Sequence, residues 1–595
     1  MKFYSRNYFW ILIAVTLTVI SYIPIFNADF VNWDDDYFIT NNPLIQSFSF
    51  QNIKAWFLQP FLGLYQPFVL ISLALDYQID GLNPLVFHAT NLLLHLLNTL
   101  LVYWFIKKLF ENNTMAVVVM LLFGLHSIHV ESVAWVTERK DLLYSLFYLA
   151  GLNFYLEYLS QQKIKFFILL LLAFAFSLLS KAMAVSLPFI LILIDFYKSR
   201  SLLSKKVILE KTPFFLIAAL WGVLTLFWHN QHGSLANSTG FPFTERILLG
   251  AKGFVFYLSH LLLPLNLAVF HPVPESFSTT LLLECLFYIL VILLVFGWLF
   301  FNREKYKIVF FGFGFFILTL FLFLIPPGVP VIASERYAYI SSIGIFIVLA
   351  YGYDYLIIKF KGYKFLLQIL LAAYLIFLGV NTFQMAKTWK NSLTLWNRVI
   401  NVHGEIFYPI QQRGIANRLD KNYEAAIIDF NRAIQLNPNF FRTFEQRGYV
   451  YSLMENYTNA EKDFKKALDL QPKSHTAWSN LGFIYRQQKK YTKALSCLDK
   501  AISIQDSYVD AYINRAKVYN LLEEFDKACY DLRTAKSKFP TKQQIEKITR
   551  LQEGIKCRQE QETSYIKHID CDAPSLNPTQ WLAMTQHQEL ATSNQ

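Results

Sequence analysis

The chain has 595 residues, of which 54% are hydrophobic and only 16% charged, with 56 Phe. Soluble domains carry about 25% charged residues, so the composition excludes an ordinary soluble protein and points to a lipid bilayer. The formal net charge of +12 does not call for nucleic acid, because much of the basic excess lies in short loops between apolar runs, where a membrane accounts for it.

Lys2 and Arg6 precede an apolar stretch from Tyr8 to about Phe26, too long for the core of a signal peptide and without a small-residue cleavage site. It reads as an uncleaved anchor. Further apolar segments at 85–106, 114–130, 141–158, 166–180, 183–197, 213–229, 280–301, 308–325, 337–358 and 365–384 bring the total to about 11 candidate spans. One more segment, 246–263, holds Lys252, Ser259 and His260 and is interrupted by Gly250 and Gly253. Letting it cross would put Arg303, Lys305 and Lys307 on the opposite side from Lys107, Lys108, Lys163, Lys165, the basic run 198–211 and Lys359–Lys364. The segment is therefore predicted to be an interfacial or re-entrant helix, with the N-terminus inside and the C-terminus outside.

On the outer side of this topology lies the long loop 27–84, which opens with Asp34, Asp35 and Asp36 and continues into an amphipathic stretch, Phe48 to Phe61, predicted to lie on the membrane surface. Adjacent carboxylates repel one another and raise the pKa of at least one, as a general base for a hydroxyl acceptor requires. A solvated loop cluster or a Ca²⁺ site fits the spacing as well.

A second outer segment, His126 to Asp141, concentrates ionisable groups between two spans. Such groups are costly there unless they line a polar cavity. His126, His129 and Glu131 do not have a standard zinc spacing, so they and Asp141 read as a hydrogen-bonded supporting cluster. Arg139 and Lys140 sit outside against the charge bias, and with Lys181 and Arg336 they form a set of cations able to hold a phosphate; taken singly, Lys181 and Arg336 read equally well as snorkelling interfacial cations. His88, Asn91, His95 and Asn98 make one polar stripe on the second span, read as packing or cavity lining.

From about 405 the sequence repeats every 34 residues. Pro438, Pro472 and Pro540 share one register, with Asp506 in the missing place; Gly414, Gly448 and Gly482 share a second, with Ala516 substituting. Three more registers are Tyr423, Tyr457, Tyr491 and Phe525; Ala426, Ala460, Ala494 and Ala528; and Ala433, Ala467, Ala501 and Ala535. The small residues fall where two antiparallel helices must approach closely, and the pattern resembles four tetratricopeptide repeats over 407–540. Such a solenoid offers a groove for a protein or peptide segment; a spacer or assembly arm is the other reading. Residues 386–406 read as a linker and 541–595 as a polar, disordered tail. The five Cys form no metal-ligand spacing, and their odd number argues against a disulfide framework.

Several runs carry a family resemblance: Phe-Val-Asn-Trp-Asp-Asp-Asp at 30–36, Asn-Pro at 42–43, Tyr-Gln-Pro at 65–67, the stretch Asn83 to Leu97, His-Ser-Ile-His-Val-Glu-Ser-Val-Ala-Trp-Val-Thr-Glu-Arg-Lys-Asp-Leu-Leu at 126–143, and 179–188. In these, and in module order, the chain resembles the transmembrane and tetratricopeptide repeat-containing O-mannosyltransferases and their bacterial relatives, members of the GT-C glycosyltransferase superfamily. The resemblance implies an all-α protein, with a GT-C-like transmembrane bundle over 1–385 before the repeat solenoid. It implies a polyprenyl-phosphate-linked sugar as donor and an extracytoplasmic acidic motif that carries catalysis. By position that motif falls on Asp34 and Asp35. Gln66 stands where many relatives have Arg, which removes one phosphate contact. The membrane would be the inner membrane of a bacterium or the endoplasmic reticulum of a eukaryote, and some superfamily members use a divalent cation. A membrane-anchored repeat scaffold and a lipid-linked glycan flippase are the competing readings.

Overall fold

The computed structural model describes residues 2–231, 241–274, 276–324, 331–538, 542–555 and 557. They are almost entirely helical, apart from one two-residue and one three-residue strand. The chain divides into two compact units with the boundary between Val402 and His403.

Among the described residues of the first unit, seven helices are long and apolar enough to cross a bilayer: Tyr8–Asn27, Pro84–Phe110, Lys205–Trp228, Thr279–Phe301, Lys307–Leu324, Glu335–Lys359 and Lys361–Thr388. An eighth is the pair Asn113–Leu125 and Ser127–Ala134, bent by 51°. The expectation of about 11 therefore divides by length and polarity. The helices Ile164–Leu178 and Ala182–Tyr197 are apolar but short, and 15 residues rise only about 22 Å against a hydrocarbon thickness of about 30 Å. The 141–158 segment lies in the 23-residue helix Arg139–Gln161, which starts on charged residues. The uncertain segment 246–263 forms one helix, Phe243–Leu262, outside the span set.

Packing in this unit uses small residues. A Cβ on Gly312 would come within 2.6 Å of the Gly344 carbonyl, and one on Gly344 within 2.3 Å of the Gly312 carbonyl, so these two helices meet backbone to backbone. A buried charge network ties together the ends of other helices: Arg200 bridges Asp195 and Glu210 at 2.8 Å each, and Lys211 reaches Asp195 at 2.7 Å. The polar stripe is used for packing, as expected. Asn91 donates to the carbonyls of Val133 and Trp135, and Asn98 to that of Leu142.

The loop after the first span is more structured than its sequence suggests. Phe50–Leu58 is a short helix that buries Trp56 and exposes Phe50 and Leu58, the expected amphipathic element. A second helix, Pro67–Asp80, starts at the Pro and was not legible in the sequence. The segment read as a linker is also helical. Lys364–Thr388 runs on past 385, and Ser392–His403 follows, with Leu395, Trp396 and Val399 buried.

The second unit holds four helix pairs whose first helices begin at Phe407, Phe441, His475 and Val509, and whose second helices begin at Tyr423, Tyr457, Tyr491 and Phe525. Every start is 34 residues from the next. The turn inside each pair places one residue in the left-handed region, Lys421, Glu455, Lys489 and Glu523, with φ of 62°, 58°, 59° and 62°. Gly414 faces Phe430 so closely that a Cβ would lie 2.8 Å from the ring. Much of the predicted tail lies outside the described residues, but its first part is a helix, Lys542–Ile555, that buries Ile548 against the last pair. Cys557, just beyond it, forms a disulfide with Cys529, a pairing that the Cys count had not suggested.

Candidate active site

The site grows from the bend at His126. His126 ends the helix Asn113–Leu125 in an extended conformation, and three short helical turns, Ser127–His129, Val130–Ala134 and Val136–Glu138, then wind through the protein to Arg139. The whole stretch is buried. Both imidazoles are occupied by structural contacts: His129 lies 2.8 Å from the Phe123 carbonyl and 3.0 Å from Ser342 Oγ, and His126 accepts from the Ile128 amide. They brace the bend and do not join the charged cluster.

That cluster is centred on Glu138, a residue the sequence reading did not single out. Its carboxylate lies 3.0 Å from Lys140 Nζ, 3.2 Å from Arg336 Nε and 3.8 Å from Lys181 Nζ. Burial opposes its ionisation, but the three cations outweigh that and hold its carboxyl well below the usual carboxylate range. Lys181 also pairs with Asp141, and Arg336 with Glu131. The side chains of Lys140, Lys181 and Arg336 keep 12%, 13% and 14% exposure, while Glu138 keeps 1%. Each cation is thus anchored from behind and still reachable. Sequence spacing could not have found Glu138 as the hub, because Lys181 and Arg336 come to it from distant helices.

Arg336 is positioned by a small ladder. The strand His271–Pro272 pairs antiparallel with Val331–Ala333, with His271 opposite Ala333. Glu335 then accepts from the Ala268 amide at 2.5 Å and lies 3.1 Å from His271 Nε2. Burial pushes His271 down to about 4, so the ring is neutral near pH 7 and the contact is a hydrogen bond.

Arg139 does not belong with the other cations. It is fully buried, pairs with Asp76, and donates to Asn91 Oδ1 at 2.8 Å and the Phe87 carbonyl at 2.7 Å. Its phosphate role is therefore replaced by a structural one, which ties the helix Pro67–Asp80 to the second span. Gln66 stands at the N-cap position of that same helix, buried and without a side-chain capping bond.

The acidic loop separates its members in the same way. Asp35 is 1% exposed and accepts from the Val31 amide at 3.0 Å, the Thr137 amide at 3.1 Å and Thr137 Oγ1 at 2.6 Å. It clips the acidic loop to the Val136–Glu138 turn, and burial, offset by those bonds, pushes its carboxyl up to about 6. Asp34 is part-exposed. Burial raises its carboxyl to about 7; Lys140 and Arg336 act to lower it, and Glu138 and Asp36 to raise it. Lys140, Arg336 and Glu138 belong to the cation cluster, so the loop and the cluster form one electrostatic site. Among the described residues no group of three or more His, Cys, Asp or Glu side chains is arranged to hold a metal ion.

Fold and site together define a multi-pass membrane protein that carries a tetratricopeptide-repeat module. Tetratricopeptide-repeat family models match residues 411–440, 441–474 and 475–508. The named relatives are protein O-mannosyl-transferases, in agreement with the resemblance carried by the 30–36 and 126–143 runs. The chain is 26% identical over 450 residues to protein O-mannosyl-transferase F38B6.6 of Caenorhabditis elegans, covering 70% of this chain and 62% of that protein. It is 41% identical over 100 residues to protein O-mannosyl-transferase TMTC1 of Mus musculus, covering 17% of this chain and 10% of that one. The match thus spans less than two thirds of either relative. Among solved structures, the crystal structure of MamA aligns with 27% of this chain and 92% of its own at 16% identity, with a TM-score of 0.24.

Proposed function

We propose that the chain is an integral membrane glycosyltransferase that moves a mannose-like sugar from a polyprenyl-phosphate donor to a hydroxyl of protein Ser or Thr, on the extracytoplasmic face. The observation that carries the reading is Asp34, a part-exposed carboxyl raised to about 7 within the field of Lys140 and Arg336, two anchored cations that remain reachable. The names of the relatives support the same activity.

In this reading Asp34 takes the proton of the acceptor hydroxyl as its oxygen attacks the anomeric carbon. The bond from that carbon to the phosphate oxygen breaks, and its electron pair leaves with the phosphate. Lys140, Lys181 and Arg336 stabilise the charge that develops there. Phosphate is a good leaving group, so no general acid is needed, and single displacement inverts the anomeric centre. Asp35 holds Asp34 in place through Thr137. The bilayer supplies the donor, and the repeats hold the peptide acceptor. The outer placement rests on the alternation of basic loops and on the Cys529–Cys557 disulfide, a bond that persists in oxidising compartments.

The test is to incubate the purified protein with radiolabelled polyprenyl-phosphate sugars and a Ser/Thr-rich peptide. Transfer by the wild type and its loss in D34N support the enzyme. Donor movement across vesicles without cleavage, or no donor use by either protein, overturns it in favour of a flippase or a scaffold.

A further inference from the structure

A second basic site lies at the other end of the helix that carries Lys140. That helix, Arg139–Gln161, holds Lys140 in its first turn and Tyr158 in its last. The rise between the two is about 27 Å, close to the hydrocarbon thickness of about 30 Å. Beside Tyr158 lies a cavity of about 510 Å³, within the range of about 300–1,000 Å³ that small-molecule sites occupy. It opens where two further helices begin, Ile164–Leu178 and Lys205–Gln231.

The floor of the cavity is a balanced ion-pair network. Glu210 lines it, but both of its oxygens are engaged: Oε2 meets Arg200 at 2.8 Å, and Oε1 accepts from the Tyr158 hydroxyl at 3.0 Å. Arg200 also reaches Asp195 at 2.8 Å, and Lys211 reaches Asp195 at 2.7 Å, so two cations offset two carboxylates. The rim is cationic and has no such balance. Lys205 and Lys206 line the cavity, and Lys163 and Lys165 flank Ile164, which lines it too. All four lysines are exposed, and among the described residues none of them forms an ion pair with a carboxylate. Lys206 Nζ donates to Gln162 Oε1 at 2.8 Å, and Lys165 lies 4.8 Å over the Phe166 ring. The remaining wall is apolar. Phe167 is half-buried there, while Ile164 and Leu209 keep 67% and 60% exposure. Leu209 stands in the first turns of the candidate span Lys205–Trp228, so this wall meets the bilayer.

A soluble anion would meet the lysines and leave the apolar wall wet. A zwitterionic lipid would cover the wall but bring its own cation against the lysines. Only an amphiphile with net negative charge satisfies both surfaces. We propose that this cavity binds an anionic glycerophospholipid, its phosphate held by Lys205 and Lys206 and one acyl chain lying along Ile164, Phe167 and Leu209. Basic pockets between membrane helices on the cytoplasmic side suit such head groups, and the positive ends of two helix dipoles add to the lysine charge. The leaflet follows from the topology in which the basic loops face the cytoplasm. The binding itself does not depend on the transferase reading, so the failure of one leaves the other standing.

Full-length protein in detergent is titrated with phosphatidylglycerol or with phosphatidylcholine of the same acyl chains, and the bound lipid is counted by native mass spectrometry. Phosphatidylglycerol is expected to bind about tenfold more tightly. K205Q combined with K206Q should remove most of that preference. L209W keeps every charge but fills the apolar side of the cavity, and it should weaken phosphatidylglycerol binding by about threefold or more. K361Q combined with K364Q, which takes the same charge from another exposed basic segment, should change nothing. Glycerophosphoglycerol, the head group without its chains, should not displace the lipid at about tenfold excess. Equal binding of the two lipids, a preference retained in both K205Q/K206Q and L209W, or an equal loss in K361Q/K364Q overturns the proposal. Displacement by glycerophosphoglycerol overturns it in favour of a site for soluble phosphates.

Discussion

Trp396 Nε1 donates a 2.7 Å hydrogen bond to Asn32 Oδ1 across 364 positions of sequence. The acceptor lies two residues before Asp34, and the Trp396 ring packs 5.1 Å from that of Trp33. Ser392 adds a bond of 2.9 Å from the Asn32 amide. The helix that follows the last span therefore holds the acidic loop, and W396A should lower transfer by about tenfold or more even though it touches no substrate. Its loss of packing should also cost about 3–5 kcal/mol in thermal unfolding, whereas W396F should keep most of that stability. Unchanged transfer in W396A would detach this helix from the site.

D34N and D35N should fail in different ways. D34N is expected to lose transfer by on the order of 10²-fold with an unchanged melting temperature. In D35N an amide NH₂ replaces one of two oxygens that accept from backbone amides, and the clash of donors should cost about 1–3 kcal/mol of stability. Calorimetry beside a transfer assay reads both.

The pH dependence has a definite sign. Asp34 is raised to about 7, so below that value the carboxyl is protonated and cannot accept the hydroxyl proton. Transfer should rise with pH through about 7, and in D34N that limb should flatten. A rate that stays constant from pH 5 to 8 excludes Asp34 as the titrating base.

Arg139 and Lys140 are sequence neighbours with opposite expectations. Removing Arg139 leaves Asp76 buried without its partner, and R139A should unfold more easily by about 3–5 kcal/mol. K140Q should fold normally and raise the KM for the donor more than that for the acceptor. Donor affinity that falls in a stable R139A would return that residue to the phosphate site.

Sidedness is open to labelling at Lys473, which is exposed; the neighbouring Ser474 is buried and bonded to Glu445. In K473C a membrane-impermeant maleimide added from the extracytoplasmic side should react at once. Reaction only after opening the cytoplasmic side reverses the topology.

The repeats were legible because their periodicity is set by local contacts: each Gly meets an aromatic or Leu 16 residues on, as Gly414 meets Phe430 and Gly482 meets Leu498. The charged site was legible only as a list. Asp34, Lys140, Lys181 and Arg336 stand out as ions beside membrane spans, but nothing in their spacing says that Glu138 gathers the cations or that Arg139 faces away to Asp76. Those assignments depend on chain crossings, and hydropathy carries no information about partners. The span count is legible only approximately for a similar reason, since an apolar run of 15 residues looks alike whether it crosses or stops short.

The bond between Cys529 and Cys557 joins the helix Lys542–Ile555 covalently to the fourth pair. In a stack where each unit leans only on its neighbours, protection can be lost one unit at a time. The covalent link couples these two elements. Under reducing conditions, amide exchange should quicken first over 542–555 and then over 525–537, moving inward one helix at a time. With the bond intact, the solenoid should lose its protection as a block.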